Sequence, residues 1–312
     1  MNIKSSENTK LHALEIFFTE FTKLYNDKKM PNKILLSGKK GLGKSTLAYH
    51  VINYALSLNE EYKYDISSFR INKNNRSFKL IQNNSHPNFY LIDLEDEKKS
   101  INIDQVRTMI AYTNKSSFNN LPRFILIDNI EYLNKNSNNA LLKVIEEPNN
   151  NIFFILINNN EKDILPTLKS RCINFKINLS FDETVRTINL LLDKNIFEII
   201  NYDLINYYTT PGEIINLVNL AEEKKINLKE LTTLELLILL IDKGYYKKNI
   251  YVKKLIISFI QLFFLKEYKL SAAKNSLLNL YHNFILKINN TEKFNLDEES
   301  LFLEFKSKLL NG

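Results

Sequence analysis

Cysteine is almost absent from this chain. Cys172 is the only one among 312 residues, so neither a disulfide framework nor a zinc site built on clustered cysteines can be assembled from it. Glycine and proline are also scarce, with six of each. No apolar run reaches the roughly 20 residues that a bilayer span needs. The longest, Leu255 to Leu265, is broken by Ser258 and Gln261 and flanked by Lys253-Lys254 and Lys266-Glu267, as a buried helix would be. No membrane partner is expected. The first residues lack the basic, apolar, small-residue order of a secretion signal, so a cytoplasmic protein is expected. A dense Lys/Arg block is missing too. The net charge of +7 comes from lysines dispersed among Asn, Ile, Phe and Tyr, with a pI of about 9.1. Such a balance permits a nucleic-acid partner, but a general compositional bias explains it equally well. What is present, 44% hydrophobic and 25% charged residues, describes an ordinary globular chain with room for two or three domains.

Three of the six glycines crowd into Gly38-Lys39-Lys40-Gly41-Leu42-Gly43-Lys44-Ser45-Thr46. This stretch follows the apolar Ile34-Leu35-Leu36 and precedes Leu47 to Ile52, which reads as a helix. Strand, glycine loop, Lys-Ser and helix form the context that gives a phosphate-loop pattern structural meaning. The glycines let the backbone curl so that its N–H groups line a concave anion site, and the helix N-terminus adds positive dipole. In such a site Lys44 reaches the β- and γ-phosphates of ATP, and the Ser45 hydroxyl ligates Mg²⁺. The alternative, a glycine-rich turn with an incidental Lys-Ser, is disfavoured by the flanking elements.

Leu11, Leu14, Phe17, Phe18, Phe21 and Leu24 are spaced for an amphipathic helix over residues 7–26. Pro31 resets the chain into a strand at 33–37, and the helix after the loop runs to about Leu58. Residues 59–85 are polar with weak alternation, which predicts an irregular excursion or a small hairpin. His86-Pro87-Asn88 leads into a strand at Phe89–Asp93, and His86 reads as a loop residue without a catalytic role. Ile103 to Arg107 opens a helix whose N-terminus Asp104 favours. After a break at Asn119 to Pro122, Arg123 to Asp128 is an apolar run ending in an acid, as suits a strand buried on both faces. Asn138 to Glu147 reads as a helix that Pro148 stops. Ile152 to Ile157 is the next strand, ending in Asn158-Asn159-Asn160, and Ile173 to Ile177 is a short one. This alternation predicts an α/β domain with a largely parallel sheet. Beyond residue 178, Glu230 to Lys243, Ile250 to Tyr268 and Ala272 to Ile288 carry helical spacing. The expected organisation is an α/β nucleotide-binding domain at 1–177, a small helical lid at 178–230 and an all-α domain at 231–312. The apolar faces of the last are mostly core and partly contact surface for other subunits.

An ATPase of this kind needs a strand-end acid to hold Mg²⁺ through its waters, and Asp128 is placed for that. It also needs a carboxylate to polarise the attacking water. That group commonly follows the acid directly, but here Asn129 stands there, and an amide cannot accept a proton. Glu131 lies two residues further on. Asn158 or Asn159, at the end of the adjacent strand, could sense the γ-phosphate. Arg171 is a candidate for an arginine supplied to a neighbour's nucleotide, with a structural salt bridge as an equal alternative on chemistry alone.

In combination these motifs resemble the delta-prime type of bacterial DNA polymerase III clamp-loader subunits, within the AAA+ ATPases. The resemblance rests on Pro31 to Gly38 leading into the phosphate loop, His86-Pro87-Asn88, Ile103 to Arg107 and Leu126-Ile127-Asp128. It extends through Asn139 to Lys143 with Glu146-Glu147-Pro148, and Leu165-Pro166-Thr167 with Ser170-Arg171-Cys172. It is dense over residues 30–177 and topological beyond. It implies an AAA+ domain, a helical lid and a C-terminal helical collar that joins subunits into a ring. It implies loading of the sliding β-clamp onto primed DNA, with ATP bound by gamma/tau partners and a delta subunit in the same complex. It also implies that Arg171 acts in trans. Related subunits carry a zinc module of cysteines, which this chain cannot, so no zinc is expected. Active members present a lid arginine to the nucleotide, whereas after Thr210-Pro211-Gly212 this chain has Glu213. With Asn129, that points to a subunit that binds ATP and hydrolyses little unaided, and that belongs to the holoenzyme without being the polymerase. A self-sufficient ATPase motor and a nucleotide-free scaffold remain the alternatives.

Overall fold

A computed structural model describes residues 4–95, 98–115, 121–147, 151–270, 274–294 and 298–310. The chain divides into two compact units, one of residues 1–191 and 209–219, the other of 192–208 and 220–312.

The first unit is built on five parallel strands, β1 (Lys33–Ser37), β2 (Phe89–Ile92), β3 (Arg123–Ile127), β4 (Ile152–Asn158) and β5 (Ile173–Lys176), in the order β2-β3-β4-β1-β5. α1 (Glu15–Asn26) precedes them, and between them run α2 (Lys44–Ser57), α3 (Arg76–Gln82), α4 (Ile103–Thr113), α5 (Lys135–Glu146) and α6 (Pro166–Lys169). Successive strand residues point to opposite faces, and the sheet sorts its core accordingly. Leu36, Phe124, Leu126, Ile155 and Ile157 pack with α1 and α2, while Leu35, Ile125, Ile127, Phe154 and Leu156 pack with α4, α5 and α6. Central strands covered on both sides need unbroken apolar runs, which is why β3 is buried at every residue. The edge strand β5 is only partly covered.

Helix starts follow local chemistry. α1 begins at Glu15 and not near residue 7, because Ala13 takes a left-handed backbone (φ 61°) that an α-helix does not admit. Only a short 3₁₀ turn, Ser5–Glu7, precedes it. α4 carries a capping box between Asn102 and Gln105, with Asp104 in its first turn. α5 starts three residues ahead of the expected Asn138, because the Asn134 side chain caps it at the Ser137 N–H. Part of the expected break at Asn119–Pro122, and the helix stop at Pro148, lie outside the described residues.

Residues 59–85 hold a short antiparallel bridge, Asp65 with Arg70, as a small hairpin would, but also a helix the sequence did not signal, α3. Glu60 caps α3 from a distance, accepting from the Arg76 and Ser77 N–H groups at 2.9 and 3.0 Å. His86 donates from Nε2 to the Ser77 hydroxyl and accepts at Nδ1 from the Asn88 N–H, both at 3.1 Å. It is a buried structural residue. His50, fully buried in α2, likewise donates to the Asn8 carbonyl (3.0 Å) and accepts from the Tyr64 hydroxyl (2.7 Å).

The chain continues through α7 (Phe181–Leu192), α8 (Ile196–Ile199) and α9 (Pro211–Lys224). α7 up to Leu191 and α9 up to Asn219 belong to the first unit. The second unit is helical, with α10 (Thr233–Asp242), α11 (Ile250–Leu270), α12 (Lys274–Phe294) and α13 (Glu298–Leu310). Its core joins Leu236 and Leu240 of α10, Ile256 and Ile260 of α11, and Phe302 and Phe305 of α13. Asp203 anchors α10 by accepting from the Thr233 N–H, and pairs with Lys266.

Burial holds both His50 and His86 neutral, with each pKa pulled down to about 4. Because the unfolded chain binds a proton near pH 6.5 and the folded one does not, their stabilisation is complete above pH 6.5 and is lost as pH falls towards 4. Each histidine contributes up to about 3 kcal/mol to that difference. Urea denaturation between pH 7.5 and 4.5 should show the midpoint falling on the acid side, and a His50→Gln variant should flatten the slope.

Candidate functional site

The phosphate loop leaves β1, an inner strand between β4 and β5. Ser37, the last residue of β1, pairs in register with Asn158 of β4, and the Gly38 N–H donates to the Asn158 carbonyl at 3.2 Å. Lys44 opens α2 at 2% exposure, with Nζ donating to the Gly38 and Lys39 carbonyls at 2.8 and 2.7 Å. Burial lowers its pKa to about 8, against the opposing pull of the Asp128 and Glu131 charges. The N-cap of α2 is Gly43, whose left-handed backbone (φ 86°) turns the loop into the helix, and no side chain caps that end. The first-turn N–H groups therefore keep their capacity for an anion. The Ser45 hydroxyl donates to Asp128 at the end of β3, so the two residues expected to serve Mg²⁺ are in contact. Among the described residues no cluster of three or more His, Cys, Asp or Glu could hold a metal. Magnesium held by a hydroxyl, one carboxylate, waters and phosphate oxygens does not require one.

The carboxyl ends of β2, β3 and β4 line up a row of polar groups. Asp128 is pushed up to about 6 by burial and then by the nearby Asp93 charge. Asn129 adopts a left-handed backbone (φ 56°), which asparagine tolerates. Its Nδ2 donates to Asp93 Oδ1 at 2.7 Å, and its Oδ1 accepts from Asn159 Nδ2 at 2.9 Å. Glu131, 7% exposed, accepts the Asn159 N–H at 3.0 Å on Oε1, while Oε2 is buried with no hydrogen-bond partner among the described residues. Burial raises its pKa. Of the two sensor candidates, Asn159 joins this row. Asn158 lies beside the root of the loop, with its side chain donating to Asn160 Oδ1. Asp93 carried no signal in the sequence. It ends a short strand, and only the sheet order places it beside Asp128.

The first turn of α9 sits on the tip of the loop. The Thr210 hydroxyl donates to the Lys40 carbonyl at 2.8 Å, and the Gly212 N–H donates to the Gly41 carbonyl at 3.0 Å. The approach is close enough that a Cβ on Gly212 would lie 2.7 Å from the Gly41 Cα. Glu213, read from the sequence as a charge opposed to phosphate, has other partners. It accepts the Thr210 N–H as part of a cap and pairs with Lys39 at 2.8 Å. Its charge is thus matched within the fold.

Beside Gly41, Gly43 and Thr46 lies a pocket of about 190 Å³. Its walls include Leu11, Leu42 and Ile215, with Asn8, His12 and Thr187 as polar groups. A flat heteroaromatic ring suits such a lining. Nothing in the sequence pattern marked it, since Leu11 and Leu14 read only as a helix face.

Arg171 follows α6 and precedes β5. Its Nη2 pairs with Glu146 at 2.6 Å and its Nη1 donates to the Thr167 carbonyl at 3.0 Å, with the side chain 37% exposed. The structural salt bridge that chemistry allowed is therefore real, although open to solvent. Leu165 and Ile173 on either side are exposed apolar residues, at 39% and 54%. Cys172 packs into the core beside them, and burial pushes its thiol up to about 11.

The family model described as DNA polymerase III, delta subunit matches residues 14–180. Among curated relatives, the delta-prime subunit of DNA polymerase III from Pseudomonas aeruginosa is 30% identical over 139 residues, covering 45% of this chain and 40% of that protein. The gamma subunit from Buchnera aphidicola subsp. Schizaphis graminum is 33% identical over 208 residues, 64% of this chain and 54% of that protein. The chain thus spans about half the length of the curated relatives it matches, or less. A crystal structure of a DNA polymerase III gamma subunit-related protein from Thermotoga maritima shares the fold at a TM-score of 0.52 and 16% identity, over 92% of this chain and 97% of that one. The expected AAA+ architecture, a parallel α/β sheet followed by helices, is the one present. With the family matched across the phosphate loop, the strand-end acids and Arg171, the chain belongs to the DNA polymerase III delta subunit family of clamp-loader-type AAA+ proteins.

Proposed function

We propose that this chain is a ring subunit of a clamp loader of the delta-prime type, which binds Mg-ATP without being its own motor. Its task would be to help load the sliding β-clamp onto primed DNA, in a cytoplasmic complex with gamma/tau and delta subunits. One observation carries this reading. Lys44 is drawn onto the loop carbonyls and Ser45 onto Asp128, which supports binding, while the position directly after Asp128 holds an amide hydrogen-bonded to Asp93 and Asn159. Residues 38–46 and the start of α2 would hold the phosphates, and Ser45 with Asp128 would hold Mg²⁺. Bound magnesium would supply charge neutralisation at the phosphates. The pocket beside Thr46 would take the base. Residues 1–177, 178–230 and 231–312 would serve as AAA+ domain, lid and collar. Arg171, exposed between Leu165 and Ile173 at the edge of the sheet, is offered to a neighbour's nucleotide. Its apolar flanks suit a contact with another subunit.

A second reading has its own support. Glu131 keeps a buried, unpartnered oxygen, and its charge reaches Lys44. A self-sufficient motor would use that carboxylate as the base.

Isothermal titration of the purified chain should show Mg-ATP binding that Lys44→Ala weakens by about two orders of magnitude or more, because charge-assisted hydrogen bonds to phosphate are lost. No binding at all would support a nucleotide-free scaffold. Gly212→Ala, which forces the lid off the loop, should weaken binding several-fold. Turnover by the chain alone should be negligible. In the reconstituted complex, clamp- and DNA-stimulated ATPase should fall by about 10³-fold or more in Arg171→Ala. An unchanged rate would rule out the trans role, and robust turnover by the chain alone that Glu131→Gln abolishes would favour the motor.

A further inference from the structure

The Arg171–Glu146 pair joins two of the motifs that marked the family, and the function proposed above gives Glu146 nothing to do. Glu146 is the last residue of α5, where the helix dipole disfavours a carboxylate. It nevertheless reaches Arg171 Nη2 at 2.6 Å, while Nη1 of the same guanidinium donates to Thr167 O at 3.0 Å. Two contacts on one planar fork fix its orientation. The backbone beside it is anchored, because Cys172 is packed into the core against which α5 and α6 lie. The two side chains stay 37% and 48% exposed, and an ion pair so exposed adds little to stability. A weak pair at a family motif is better suited to being exchanged than to holding the fold.

We propose that Glu146 is a positioning residue that keeps the Arg171 guanidinium in a rest state on its own subunit, from which a neighbour's nucleotide phosphate displaces it. The proposal rests on Arg171 acting in trans. A carboxylate offers one negative charge, whereas a nucleotide phosphate offers more, with oxygens spaced for bidentate contact. The exchange makes and breaks only hydrogen bonds and an ion pair. Glu146 therefore sets the threshold that the neighbour's nucleotide must exceed to recruit Arg171.

The test is equilibrium binding of a fluorescent, non-hydrolysable ATP analogue to the reconstituted complex, with steady-state ATPase alongside. Glu146→Gln keeps the size and removes the charge. It should tighten analogue binding about three- to fivefold, as expected for loss of an exposed competing pair. KM should fall in step, and kcat should change less than about twofold. Glu146→Asp, which retains the charge, should bind within about twofold of wild type. Unchanged or weaker binding in Glu146→Gln, or a lower kcat at constant KM, would overturn the rest state. If Arg171→Ala itself leaves binding and ATPase at wild-type values, the trans role has failed instead. A silent Glu146→Gln beside a damaged Arg171→Ala refutes only the inference about Glu146.

Discussion

The α/β unit depends on keeping one ammonium group out of water. Lys44 is 2% exposed, yet its Nζ is held by two carbonyls of the loop it closes. A buried cation is tolerable only when hydrogen-bonded and offset by nearby charge, and the surroundings meet both conditions. The loop must curl tightly enough to aim Gly38 and Lys39 carbonyls inward, which requires the left-handed turns at Gly41 and Gly43. The strand ends must bring acids near, which the β2-β3-β4-β1 order does. Asp128 and Glu131 then stabilise the lysine cation even as burial and Asp93 make Asp128 itself harder to ionise. The sheet order, the glycine turns and the placement of acids answer to the same electrostatic demand.

The row across the strand ends is held together by matched amide and carboxylate groups. Asn129 directly follows the strand-end acid Asp128. It is tied on one side to Asp93 and on the other to Asn159. A carboxylate at 129 would face the Asp93 carboxylate in a half-buried setting, a repulsive pair. The amide matches both of its neighbours at once, donating to one and accepting from the other. The row is thus matched around the amide, and a glutamate at 129 would need a change at Asp93 to be accommodated.

Much of the fold was legible because its signals are local. The strands at Lys33–Ser37, Arg123–Ile127 and Ile152–Asn158 are continuous apolar runs, and the loop motif is contiguous. Lys44, Ser45 and Asp128 could be named as a set because a strand-end acid after a phosphate loop has a fixed place in a parallel sheet. What escaped reading was carried by contacts distant in sequence. α3 has a local cap, the Asn75 side chain accepting from the Phe78 N–H at 2.7 Å, but asparagines are so frequent in residues 59–85 that this one did not stand out. The second cap comes from Glu60, sixteen residues earlier. Ala13 ends the expected first helix through a backbone angle that its residue type does not betray. Glu213 looked hostile to phosphate only because its partner Lys39 lies far away along the chain. The pocket residues Asn8, His12 and Thr187 come from three separated segments and share no motif.

The contact between Gly41 and Gly212 reaches beyond packing. A Cβ on Gly212 would lie 2.7 Å from the Gly41 Cα, and one on Gly41 would lie 2.4 Å from Thr210 Oγ1 and 3.1 Å from the Gly212 Cα, so the tip of the loop and the start of α9 fit together only while both positions lack a side chain. The two positions are therefore constrained as a pair: an exchange at 41 or at 212, however conservative on its own element, is felt by the element facing it.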